Sequence, residues 1–285
     1  GYKRQEQEEL PFRLSKILPK RHYGRKNLGY LVAKDSEVII ETDDDNFPRE
    51  EFWEKRTRMV KAEVLNDKSW FNVYACFSKE NIWPRGFPLE NLLKNGSAPK
   101  GHYYDRIAGN IKLSDCPIQQ GLADENTDVD AVYRMTMKLP INFDKQESLA
   151  LGKGTWCPFN SQNTTWFKEA FPLMYLPSYC SFRMTDIWRS FVAQRIAWTC
   201  GWNILFHNSS VWQERNEHSL LKDFADEVPG YLNNAKICKQ LEDLDLLNGV
   251  ENLKENLFRA YAMLTKEGFV GKEELALVEA WNLDL

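Results

Sequence analysis

Apolar positions recur at helical spacing in some stretches of the chain and gather into short β-branched runs in others. Leu14, Ile17 and Leu18, then Tyr23, Leu28, Tyr30 and Leu31, predict two short helices separated at Pro19, which cannot continue a helix. Residues 1–10 are polar and predict an exposed start. The run from Ser36 to Thr42, with Val38, Ile39 and Ile40 at its centre, predicts a buried strand of the parallel-sheet type. Further strands are expected at Trp70–Phe77 and Val129–Met137, with 78–128 mostly loop because it is rich in Pro, Gly and Asn. Thr185 to Thr199 predicts a helix, with Thr185 as N-cap and an apolar face of Ile187, Phe191, Val192 and Ile196. From about Glu217 the spacing is helical again, through Ile237, Leu241, Leu244, Leu253, Leu257, Tyr261 and Leu264. Strands followed by a helical tail predict an α/β domain with a helical appendage.

Composition narrows the function. Of 285 residues, 43% are hydrophobic, enough for a sizeable core and too many for wholesale disorder. The 37 basic residues against 41 acidic ones leave no excess to neutralise a phosphate backbone, so no nucleic-acid partner is expected. The stretch nearest to a membrane span, Ile196 to Phe206, is too short and contains Asn203. The six cysteines show no CxxC pair, which argues against structural zinc and leaves thiols and disulfides both open. Asn-x-Ser/Thr triplets at Asn95, Asn163 and Asn208 hint at a secretory compartment.

The candidate chemistry lies where the first strand ends. Asp43, Asp44 and Asp45 follow it directly, and open α/β sheets bind ligands at the carboxyl ends of their strands. Adjacent carboxylates repel one another unless solvent or a cation compensates. Asp43 and Asp45 project to the same side of an extended segment, so both can reach one hard cation such as Mg²⁺ or Mn²⁺. A solvated acidic turn is the competing reading, since Asp and Asn end strands naturally. Of the four histidines (His22, His102, His207 and His218), His207 follows the apolar Ile204-Leu205-Phe206 and reads as a second strand end. It is the candidate third ligand; a packed core histidine is the alternative.

These residues also resemble a known family. The segment Tyr23-Gly24-Arg25-Lys26-Asn27-Leu28-Gly29-Tyr30 and the strand end Ile39-Ile40-Glu41-Thr42-Asp43-Asp44-Asp45-Asn46 resemble STELLO-type glycosyltransferase-like proteins. Trp83-Pro84-Arg85-Gly86-Phe87-Pro88, Cys157 to Asn163, Phe182 to Ser190, Trp212 to His218 and Val228 to Asn234 carry the resemblance along nearly the whole chain. A more distant similarity runs to the reversibly glycosylated polypeptides, which act as UDP-arabinopyranose mutases. It rests on Asp43–Asp45, Arg85-Gly86-Phe87-Pro88, Gln120-Gly121-Leu122 and Asp186-Ile187-Trp188, in the same order.

The resemblance implies a GT-A-like fold: a twisted mixed sheet flanked by helices, acting on nucleotide sugars with a divalent ion. It implies a glycosyltransferase with Mn²⁺ or Mg²⁺ as cofactor, a UDP-sugar donor, and a glycan or protein acceptor. Asp43, Asp45 and His207 would be the metal ligands. Asp186 would be the general base at the start of its helix, and Arg85, in its Arg-Gly-x-Pro turn, would be the second catalytic residue. Arg25, Lys26, Asp44, Asn46, Gln120, Arg183 and Trp188 would contact the substrate. For each residue an ordinary structural role competes: solvated charge for Arg25 and Lys26, capping for Asp186, a turn contact for Arg85, core packing for the tryptophans.

One departure stands out. Only 42 residues precede Asp43, and they read as helices, whereas GT-A domains place further strand–helix units there. The expected organisation is therefore a GT-A-like domain over 1–215 lacking the first strands of the nucleotide-binding half, and a helical C-terminal extension over 216–285. The alternative to an enzyme is a non-catalytic glycosyltransferase-like scaffold or regulator of glycan synthesis, associated with other Golgi glycosyltransferases. The expected location is the Golgi lumen or its membrane, through a segment outside this chain; a cytoplasmic location remains the alternative.

Overall fold

The computed structural model describes residues 4–66, 69–94, 111–214 and 219–285. Helices α1 (Arg4–Glu9), α2 (Arg13–Ile17) and α3 (Lys26–Val32) lead into the sheet. The chain then runs through strands β1 (Val38–Thr42), β2 (Asn46–Pro48) and β3 (Met59–Leu65), helix α4 (Leu89–Lys94), strands β4 (Ile111–Asp115) and β5 (Ile118–Glu125), and helix α5 (Ala131–Thr136). Strands β6 (Leu149–Leu151) and β7 (Asn163–Phe167), helix α6 (Thr185–Ala197) and strand β8 (Ile204–Gln213) complete the sheet region. Helices α7 (Leu220–Asp243), α8 (Leu253–Lys266) and α9 (Glu274–Asp284) form the tail. The 215/216 boundary expected from sequence lies outside the described residues, as do Asn95, His102 and His218.

The sheet has the order β1-β7-β5-β8-β6-β3-β4, with β2 pairing onto the end of β8. Strands β5 and β8 run parallel, as do β3 and β6, and the other pairs are antiparallel. This is an open, mixed eight-stranded sheet flanked by helices, the architecture expected of a GT-A-like fold. The carboxyl ends of β1, β5 and β8 and the amino end of β7 all reach the same border of the sheet. The candidate site forms there.

Local readings failed where tertiary context decides. β1 is an edge strand antiparallel to β7, with Ile40 partly exposed, because a β-branched run reports β-propensity rather than burial. Trp70–Phe77 forms an isolated bridge from Trp70 to Trp156 and a single turn at Val73–Cys76; its apolar run marks burial, not a strand. The expected strand at 129–137 is helix α5, capped by Asp130, whose side chain accepts from the Tyr133 amide at 2.7 Å. Conversely β4 and β5 lie in the supposed loop. β5 went unseen because Gln119, Gln120 and Asp124 are buried polar residues that break the apolar pattern. The polar start is not wholly exposed either: Gln7 is buried and donates to the Ser15 and Leu18 carbonyls. Thr185 is the first residue of α6 rather than its cap.

Helix α6 is buried on every side, and only Arg195 of its residues escapes. Its four expected apolar residues are buried, but so are Asp186, Arg189 and Gln194, because helices of the tail cover the face that sequence would leave in water. One hydrophobic cluster runs from Trp166 and Phe206 of the sheet through Trp188 and Phe191 to Ile237, Leu257, Tyr261 and Trp281 of the tail. Each such large side chain contributes on the order of 1.5–3 kcal/mol of burial free energy. Polar ties reinforce it. The Asp284 carboxylate of α9 accepts from the Arg13 and Leu14 amides, and Glu274 accepts from those of Ser178 and Tyr179. All six cysteines are free thiols.

Candidate functional site

A cleft of about 350 Å³ opens at the border where β1, β5 and β8 end. One wall carries Asp43, Asp44 and Asp45 with Gln162 and Gln213; the other carries Arg85, Asp128, Arg134, Arg183 and Asp186, and Tyr23 and Phe182 close one side. An ion pair between residues 148 positions apart brings the two walls face to face. Glu41 of β1 receives Arg189 of α6 through both oxygens, at 2.8 and 3.0 Å, and also accepts from the Trp166 indole and the Tyr30 hydroxyl. Asp43 lies two residues beyond Glu41, on the same side of the chain, and Asp186 lies three before Arg189, on the same helix face. Locking Glu41 to Arg189 therefore turns Asp186 toward Asp43.

The second wall is a closed ion cluster. Arg85 donates through Nε and Nη2 to Asp128 at 2.8 and 2.9 Å, and through Nη1 and Nη2 to Asp186 at 3.0 and 2.9 Å. Its Nη1 also donates to the Arg183 carbonyl. Gly86 makes this turn possible: its φ is +88°, and a Cβ there would stand 2.5 Å from Ile187 of α6. Burial alone would raise the Asp186 carboxyl, but Arg85, then Arg189 and the Ser161 amide, outweigh it and hold it at about 2. A carboxylate so saturated with donors is a weak proton acceptor and a strong orienting group.

The first wall is more open. Asp44 is exposed, and Asp45 accepts from Gln213 Nε2 at 3.0 Å. Asp43 takes Lys26 Nζ at 2.9 Å and the Tyr23 hydroxyl at 3.3 Å, while Lys26 also donates to the Ser161 carbonyl. Burial lifts the Asp43 carboxyl above its usual range, Lys26 opposes this, and Asp186 and Asp45 add to it. Burial would lower the Lys26 amine, but Tyr23, Tyr30, Asp43 and Glu41 together hold it well above its ordinary value.

Not every expected residue reaches the cleft. His207 lies in the middle of β8, opposite Gly121, rather than at its end. The strand runs six residues past it to Gln213, which lines the cleft, whereas His207 is not part of that lining. It is buried, its Nδ1 lies 3.0 Å from the Asn208 carbonyl oxygen, and burial and Arg56 lower its pKa to about 3. Gln120 is a sheet-interior residue that spends its amide on Gly121, Asn160, Asn163 and Thr164. Trp188 is core, with its indole on Asn234. Asn46 braces Thr42 and the Gln162 carbonyl, and Arg25 stands on the turn before α3, off the cleft lining. Arg183 does line the cleft, with its guanidinium on Glu227.

Among the described residues no group of three or more His, Cys, Asp or Glu side chains is arranged to hold a metal ion. The expected set of Asp43, Asp45 and His207 is thus not assembled. What fits a hard divalent ion is the chemistry of the open wall: Asp43 and Asp45 are oxygen donors on one cleft, with the remaining positions left to water and substrate. Sequence reasoning missed Asp128, although the acidic Asp128-Val129-Asp130, separated from the end of β5 by two residues, was a signal of the same kind as the first triplet. Tyr23, Ser161 and Gln162 stand in segments that carry the family resemblance, and only the fold brings them to the cleft and its acidic groups.

A family model described as STELLO glycosyltransferases matches residues 183–285. Two proteins of Arabidopsis thaliana, "Probable glycosyltransferase STELLO2" and "Probable glycosyltransferase STELLO1", are each 27% identical to this chain over 300 residues, covering 98% of it and 38% of their own length. The chain therefore spans less than two-fifths of the curated relatives it matches. Arg183, Asp186 and Glu227 fall within the segment matched by the family model.

Proposed function

We propose that this cleft is the donor site of a glycosyltransferase that uses a nucleotide sugar, UDP-linked, together with Mg²⁺ or Mn²⁺. The observation that carries the reading is the meeting of the open Asp43–Asp45 wall and the closed Arg85–Asp128–Asp186 wall at the carboxyl ends of β1, β5 and β8, in a chain similar to proteins named as probable glycosyltransferases. Charge favours a cation. The cleft lining holds more carboxylates than guanidiniums, so a diphosphate would be repelled unless positive charge arrived with it. Asp43 and Asp45 would hold the ion. Once bound, it would neutralise the charge that grows on the departing nucleotide.

The protein's own residues supply position. Lys26 and Tyr23 fix the Asp43 carboxylate, Gln213 fixes that of Asp45, and exposed Asp44 is free to accept from ribose or sugar hydroxyls. Asp186, ionised at every working pH, orients an acceptor hydroxyl as its hydrogen-bond partner. That same saturation of Asp186 favours the second reading, a glycosyltransferase-like scaffold that binds a nucleotide sugar without turning it over.

Calorimetry with UDP, with and without Mn²⁺, tests binding. Wild type is expected to bind only when Mn²⁺ is present, and Asp43→Ala/Asp45→Ala to lose binding, while His207→Ala retains it. Absent or metal-independent binding in the wild type overturns the proposal. Binding of UDP with no release of sugar from UDP-glucose, to water or to any acceptor, selects the scaffold.

A further inference from the structure

We propose that Glu227, on the long helix α7 of the tail, is a positioning residue that holds both flanks of the Arg85–Asp186 cluster in place. Its carboxylate has no solvent exposure. Oε1 accepts from Arg183 Nε and Nη2 at 3.0 and 2.7 Å. Oε2 accepts from the Ala131 amide at 2.7 Å and from the Tyr231 hydroxyl. Each contact leads back to the cleft. The Arg183 carbonyl receives Arg85 Nη1. Ala131 opens α5, directly after the Asp128–Asp130 segment, in which Asp128 grips the Arg85 guanidinium and its carbonyl accepts from the Arg85 amide at 3.0 Å. One carboxylate thus joins the turn on one side of Arg85 to the loop on the other.

The approach is itself built in. Gly230, one position short of a helical turn beyond Glu227, lies so close to Met184 that a Cβ would stand 2.1 Å from its sulfur. With glycine here, α7 packs against Met184 without displacing its side chain, at the approach from which Glu227 reaches Arg183. A buried carboxylate carries a desolvation cost that an apolar residue of the same volume would avoid, so simple packing does not call for it. Orientation of two charged flanks does. The tail is on this view part of the cleft's machinery rather than an appendage.

The test uses the whole chain and does not depend on the identity of the substrate. In Glu227→Gln, hydrogen exchange of the Arg85 guanidinium protons, followed by NMR at neutral pH, is expected to quicken by about tenfold or more under conditions where the variant's urea transition, shifted to lower urea, shows it still folded. UDP affinity in the presence of Mn²⁺, an arm that rests on the function proposed above, is expected to fall by about tenfold. If wild type binds no UDP, that function fails, and the Arg85 exchange still decides the present proposal. Unchanged Arg85 exchange in folded Glu227→Gln overturns it. Should that variant not fold, Arg183→Lys, which removes the paired bonds to Oε1 but keeps those to Oε2, is expected to show the same quickening, and unchanged exchange there is equally fatal.

Discussion

The two walls of the cleft are built from the same residue type and behave as opposites. Asp128 and Asp186 are buried and share one guanidinium between them, whereas Asp43, Asp44 and Asp45 stand at the rim with Lys26 and Gln213 as partial partners. Burial forces complete pairing, since an uncompensated ion in a low-dielectric interior is far more costly than one at the surface. Exposure permits incomplete pairing, and incompletely paired carboxylates are the ones that can exchange water for a ligand. The closed wall supplies rigidity; the open wall supplies vacant lone pairs.

The contrast is sharpest at Arg85. Arg85→Leu strands two buried carboxylates, and unfolding in urea is expected to show a loss of about 3–5 kcal/mol. A loss below about 1 kcal/mol would mean that the closed wall is no more demanding than a surface pair. The next effect is a pH dependence. The Asp186 carboxyl is depressed from 3.8 to about 2 in the folded protein, so its contribution is fully present above about pH 4 and is lost as pH falls through about 2. Between those limits wild type should lose about 2 kcal/mol more than Asp186→Asn, measured by denaturation at stepped pH. Parallel curves would contradict the assignment.

On the open wall the effects shrink. Asp43→Asn removes a pair with Lys26 in which the two side chains are 31% and 22% exposed, and is expected to cost about 1 kcal/mol or less after solvent screening. Thermal unfolding will separate this from the Arg85 class; an equal loss would erase the distinction between the walls. Asp44→Asn, at an exposed position, should leave stability within about 0.5 kcal/mol while weakening UDP binding in the presence of Mn²⁺. Reduced stability with intact binding would reassign Asp44 to a structural role.

How far the sequence carried differs by element. The tail helices were legible because Ile237, Leu241, Leu253, Leu257, Tyr261 and Leu264 keep helical spacing over many turns, and all six are buried. The acidic strand end was legible because charge directly after a β-branched run is a local pattern. Strand β5 was not, since a strand at the centre of a sheet can carry Gln119 and Gln120 inside when neighbouring chains satisfy their amides. His207 was misplaced by the same blindness. An apolar run followed by a histidine looks like a strand end until the strand is seen to continue for six more residues.

By itself, then, the amino-acid order determined the α/β class, the helical tail, the three carboxylates after β1 and the motifs around Arg85 and Asp186, because each is written in neighbouring residues or a short period. Only the tertiary structure decided that Arg85 closes on Asp128 and Asp186, that Glu41 meets Arg189 across 148 positions, that Glu227 of the tail grips Arg183, and that His207 stands apart. Those pairings join charges far apart in the chain. Their partners are chosen by which groups the packed core shuts away from water together, and no local pattern records that choice.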